Sequence, residues 1–231
     1  MSKTAIIASI KTLDLDATKR ILEARPSLLT VTDRHGFNLL HLACAASPAK
    51  LRVSAGAQTR MVKFLLDRGF AIDLPVGRDA CTPLFFAVAR ARNPALVRLL
   101  LARGAKATAA PGGGLFAAGW WEDITNLKLV IDAGARIDIV VGVTPFLACW
   151  CWKRFAAAKY LAERGADVNY QDRRGKTALH HGVEKEFDPR LLRWLVAHGA
   201  SPHVSDHDGV SPRLKASRKR DRRFFAALAR E

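Results

Sequence analysis

The sequence is short of long apolar runs, of cysteine and of acidic charge, and each shortage excludes something. No apolar stretch approaches the roughly 18–20 residues that span a bilayer, so no membrane span is expected. Four cysteines (Cys44, Cys81, Cys149 and Cys151) are too few for a disulfide scaffold in a chain of 231 residues. They form no CxxC pair, and Cys149-Trp150-Cys151 does not have zinc spacing, so neither metal nor cofactor is expected. HExxH and GxSxG are missing, and His and carboxylates are too scattered to nominate a catalytic pair, so no enzyme is expected. Arg174-Gly-Lys-Thr177 ends as a phosphate-binding loop does, but Tyr170 stands where the first glycine belongs. Met1–Ile10 has only a short apolar patch before Lys11 and Asp14, without the core or cleavage site of a signal peptide. The expectation is four reduced thiols in a cytoplasmic chain, with Cys44, Cys149 and Cys151 filling core space.

Basic charge is present in excess. Lys and Arg number 37 against 21 Asp and Glu, a net charge of +16. The excess runs through the whole chain rather than sitting in one tail, and it favours acidic partners. Arg outnumbers Lys 24 to 13 and alanine is abundant, which points to a GC-rich, bacterial genome. Hydrophobic residues make up 49%, enough for a core and too many for a disordered chain.

Two interlocked phrases recur on a period near 33 residues. One is Leu-Leu-x-x-Gly with variations, ending at Gly69, Gly104, Gly134, Gly165 and Gly199. The other starts at Asn38, Thr82, Gly113, Thr144 and Thr177, with a degenerate sixth copy from Ser211-Pro212. Thr82-Pro83 and Thr144-Pro145 read as helix starts, a hydroxyl N-cap followed by proline where its missing N–H costs nothing. Leu-Leu-x-x-Gly reads as a second helix whose terminal glycine is free to adopt positive φ. Asp172-x-x-Gly175 marks a turn in the connector between them. One such unit cannot bury its apolar face alone, so the units must stack.

Gly165-Ala-Asp-Val-Asn169 with Asp172–His180, and Asp33-Arg-His-Gly36 with Leu39–Ala43, resemble the ankyrin repeat family over about residues 14–215. The resemblance implies an all-α ankyrin-repeat solenoid of stacked helix pairs with short hairpin fingers. Expected divisions are an N-terminal cap over residues 1–32, about five repeats over 33–204, and a C-terminal capping repeat over 205–231. The cap's basic helix is expected at Arg218–Arg230. The resemblance also makes His180 a structural histidine of the repeat.

Departures from the repeat point to function. The first repeat carries about ten extra residues between Ala43 and Met61. The fingers leading into the third and fourth repeats are short, and Pro111-Gly-Gly-Gly114 replaces one of them. Four of the five tryptophans fall in those two repeats. In the family, Trp120, Trp121 and Trp152 take positions facing the concave groove, whereas Trp150 takes a packing position. Arg90 and Lys185 hold the corresponding groove positions in flanking repeats, and Arg78, Arg173, Arg174 and Lys176 sit on fingers. The expected function is a monomeric protein-interaction module. Its basic groove and tryptophan patch would take an acidic, partly apolar protein partner. An effector delivered to a host cell and a cytosolic regulator or immunity-type protein both fit. Nucleic-acid binding through the basic surface is the alternative.

Overall fold

The computed structural model describes residues 2–110 and 112–229. Met1, Pro111, Arg230 and Glu231 lie outside the described residues, and with them one end of each expected cap and the proline of the Pro111–Gly114 stretch. Internal packing divides the chain into two compact units, residues 1–118 with 123–136 and residues 119–122 with 137–231.

The first unit holds α1 (Lys3–Lys11), α2 (Leu15–Ala24), α3 (Leu39–Ala45), α4 (Pro48–Leu51), α5 (Ala55–Leu66), α6 (Pro83–Phe86), α7 (Pro94–Ala102) and α9 (Ile124–Asp132). Between the last two runs α8 (Gly113–Trp120), whose final turn counts with the second unit. That unit continues with α10 (Pro145–Cys151), α11 (Phe155–Glu163), α12 (Ala178–Glu184), α13 (Pro189–Ala197), α14 (Pro212–Ser217) and α15 (Arg222–Ala227). Like helices pack side by side: α3 on α6 and α5 on α7 in the first unit, α10 on α12 and α13 on α15 in the second. The insertion includes α4, and just before α4 the end of α3 is closed by the wholly buried Gln58, which donates to the carbonyls of Ala43 and Ala46.

Each repeat phrase has a local cause. Thr82 and Thr144 accept the N–H of Phe85 and Leu147, each at 3.3 Å, and proline follows both, which starts α6 and α10. Thr177 and His180 form a capping box at the head of α12. His180 takes the Thr177 N–H on Nδ1, so Nε2 carries the proton and donates to the Val210 carbonyl at 2.9 Å. The Asp-x-x-Gly tips at Asp33, Asp172 and Asp206 fold alike. In each, one carboxylate oxygen accepts two backbone N–H groups two and four residues on. The finger before α10 has shrunk to a single turn, with Val141 bonding Val143 across Gly142.

Successive repeats are also joined at the turn between inner and outer helix. Arg92, Glu122, Lys153 and Glu186 occupy that turn with φ between 51° and 61°, a conformation that usually selects glycine. In the second unit the side chains at these positions reach the next repeat. Glu122 accepts the Ala156 N–H, Lys153 lies over the Phe187 ring, and Glu186 pairs with Lys219.

Cys44 and Cys149 are buried, whereas Cys81 and Cys151 are half-buried. Cys151 is therefore not the core filler the sequence suggested; it ends α10 at the turn rather than inside the helix pair. Burial pushes the Cys149 thiol up to about 12, with the Glu122 charge adding and Arg154 opposing. The Cys44 thiol is raised by burial alone. A disulfide-exchange reagent at pH 8 should label Cys81 and Cys151 first and reach Cys44 and Cys149 only on unfolding. Mass spectrometry of the labelled peptides gives the order, and early labelling of Cys149 would contradict this packing.

Candidate partner-binding site

The second unit gathers aromatic side chains at the ends of α8 and α10. α10 turns Trp150 inward, where it is 0% exposed. Its indole stacks on Phe146, meets Phe155 and Phe187 edge-on, and donates Nε1–H to the Ala178 carbonyl at 2.8 Å. Trp152, two residues on, follows the helix end and is 37% exposed. Trp120 and Trp121 are 43% and 49% exposed at the end of α8. Trp120 and Trp152 meet edge to face at 81°, with ring centres 5.0 Å apart. Gly119 allows this approach, because a Cβ there would stand 2.4 Å from the Cys149 sulfur.

Cations flank the pair. The Lys185 ammonium, at the end of α12, donates to the Cys151 carbonyl at 3.2 Å. The Arg154 guanidinium lies over the Trp120 ring, 5.2 Å from its centre. Sequence reasoning passed over Arg154; the signal available was a second cation directly after the Lys153 turn.

The remaining expected residues do not join this cluster as one set. Arg78 and Arg90 belong to the first unit, Arg78 exposed on a finger and Arg90 with its guanidinium over Phe86. Arg173 and Arg174 are exposed at the tip of the finger closed by Asp172. Lys176 is already engaged, since its ammonium pairs with Glu184 at 2.6 Å. Lys215 pairs with the same carboxylate.

Glu184 thus sits between two ammonium groups. Partial burial pushes its carboxyl up, but the two lysine donors outweigh that and bring it down to about 2. A depressed carboxyl contributes stability above its unfolded value near 4.5 and loses it as pH falls towards 2. Glu184→Gln is expected to lower the melting temperature at pH 7, with the gap to the parent protein closing between about pH 4.5 and 2. A gap that persists unchanged at pH 2.5 contradicts the pairing.

Among the described residues no group of three His, Cys, Asp or Glu side chains is placed to hold a metal ion. No described helix is long and apolar enough to cross a membrane.

Comparisons with known proteins bear on the fold. A family model described as "Ankyrin repeats (many copies)" matches residues 146–190, and one described as "Ankyrin repeat" matches 79–110. The ankyrin repeat domain of Bcl-3 superposes with a TM-score of 0.79 at 22% identity, covering 97% of each chain. The human ASB11 ankyrin repeat domain gives 0.72 at 22% identity, over 96% of this chain and 95% of that one. Among curated sequences, the phosphocholine transferase AnkX of Legionella pneumophila is 26% identical over 62% of this chain and 16% of its own length. Inversin of Gallus gallus is 32% identical over 38% of this chain and 8% of its own. The chain therefore spans less than a fifth of the length of either curated relative.

Proposed function

We propose that this chain, which is an ankyrin-repeat protein with an all-α solenoid fold, works as a non-enzymatic adaptor that captures an acidic, partly apolar protein. Ankyrin repeats are in general non-enzymatic protein-interaction modules. The AnkX match spans a small part of that protein and does not bring its transferase activity to this chain.

One observation carries the reading: α10 buries Trp150 completely, while Trp152 and its neighbour Trp120 stay on the surface as a packed pair. Solvent-facing indoles next to unneutralised cations are what an interface anchor requires, because aromatic area and desolvated charge concentrate binding energy. Lys185 supplies a second cation beside the indoles, and the exposed Arg173 and Arg174 add charge of the same sign on a finger of that unit. Arg78 and Arg90 add charge of the same sign in the first unit. A monomer in the cytoplasm, either delivered to a host cell or holding a partner in the producing cell, fits this reading.

The test uses the chain immobilised in native lysate, with the captured protein identified and its affinity measured. Trp120→Ala, Trp121→Ala and Trp152→Ala should each weaken binding by about 1–2 kcal/mol, roughly 5- to 30-fold. Trp194→Ala, on the outer helix α13, should leave binding unchanged. Equal losses at all four positions would refute an anchor at the indole pair.

The charge of +16 favours a second reading, nucleic-acid binding. Phosphate-dominated binding falls linearly with log salt at a slope set by the number of contacts. A steep slope and nuclease-sensitive capture decide for it; a shallow slope decides against.

A further inference from the structure

We infer that Arg154 reads an acidic side chain lying next to a large apolar one in a short segment of the partner protein, with the apolar side chain seated on Trp120 and Trp152. The inference rests on the indole pair being a binding site and specifies what it recognises.

The second unit neutralises part of its positive charge internally. Lys176 and Lys215 share Glu184, Lys219 pairs with Glu186, and Arg223 with Asp221. Arg154 pairs with no carboxylate among the described residues. Its Nε–H is buried and out of reach of a partner, whereas its two terminal amino groups are not among the buried unpaired atoms and are the donors an incoming carboxylate would meet. The neighbouring carboxylate, Glu122, is committed to the Ala156 N–H at 3.0 Å. Lys185 likewise has a backbone carbonyl for a partner rather than a carboxylate. Neither of the two cations that flank the exposed indoles forms a salt bridge with a carboxylate among the described residues.

Geometry favours a peptide carboxylate over a phosphate chain carrying bases. Stacking platforms present open ring faces to successive bases. Here Arg154 covers the Trp120 ring and Trp152 meets it edge to face, so the touching rings form a corner rather than parallel open faces. A branched or aromatic side chain packs against such a corner. A carboxylate beside it accepts the guanidinium donors in the forked geometry that arginine is built for.

The experiment pans a random dodecapeptide display library against the full chain, then measures the most enriched peptide in solution. Enriched sequences should place Asp or Glu within one or two positions of Trp, Phe or Leu. Changing that peptide acid to its amide should weaken binding to the parent protein about 5- to 10-fold. The same change should have no effect on binding to Arg154→Gln, while Arg154→Lys retains part of the preference. Thermal melts of both variants exclude a folding defect. Trp-dependent peptides that bind acid and amide forms alike overturn the role of Arg154 and leave the indole site standing. Peptides whose binding survives Trp120→Ala and Trp152→Ala, or that oligo-dT displaces at equal concentration, overturn both. A library that enriches nothing overturns both as well.

Discussion

Trp150→Ala is expected to destabilise the protein by about 3–5 kcal/mol, the range for truncating a large buried aromatic. The indole is wholly enclosed and lies among Phe146, Phe155 and Phe187, so its removal leaves a cavity on three sides. It also strands the Ala178 carbonyl, which takes the indole N–H at 2.8 Å. Gly182 lies against the indole, but the space its missing Cβ leaves is taken by Leu192, whose Cδ2 would stand 2.4 Å from that Cβ. Denaturant unfolding at neutral pH provides the measurement. Trp152→Ala on the same helix end should cost less than half as much, and a loss below about 1 kcal/mol at Trp150 would show that the helix pair closes without it.

The second large effect is expected at Gly175. With φ at +73° it closes the Asp172 finger, and any side chain there meets the next finger. A Cβ would stand 2.7 Å from the His207 ring and 2.8 Å from the His207 backbone nitrogen. That nitrogen donates to the Arg174 carbonyl at 3.1 Å, so the clash falls on a bond that joins the two fingers. Gly175→Ala should cost about 2–3 kcal/mol, the left-handed conformation supplying roughly 1 of it. Gly36 supplies the control, since it has φ +80° at the same place in its finger with nothing within 4 Å. Gly36→Ala should cost only the conformational part, about 1 kcal/mol. Equal losses at the two positions would mean that the finger contact contributes nothing.

Much of the fold could be read from the chain because its signals are local. Thr-Pro, Asp-x-x-Gly and Leu-Leu-x-x-Gly each set a cap, a turn or a helix end within four residues, and the structure shows each one doing so. The resemblance to the repeat family separated Trp150 from Trp120, Trp121 and Trp152, and on α10 the two-residue step from Trp150 to Trp152 does run from a buried position to an exposed one. What stayed hidden depends on contacts across repeats. Nothing near Lys176 in sequence announces Glu184, eight residues away, or Lys215, which completes the trio. The turns at Glu122, Lys153 and Glu186 carry no glycine to mark them. Arg154 gained meaning only once the indole beneath it and the missing carboxylate were located. The π turn at Ala87–Ala91, which ends α6, has no sequence mark at all.

Those unmarked turns also constrain how such a gene can change its length. Repeat arrays grow and shrink by copying or losing whole units, which is harmless when every joint accepts every neighbour. The joint at Glu122 is of that kind, because it takes a backbone N–H that any helix start supplies. The next two are not: Lys153 is matched to a phenyl ring and Glu186 to an ammonium. Excising residues 154–186 would present Lys153 to Lys219, cation against cation. The change at that joint would exchange an attractive, mostly exposed pair for a repulsive one, a cost of about 1 kcal/mol, so the joints differ in how readily they accept a new neighbour.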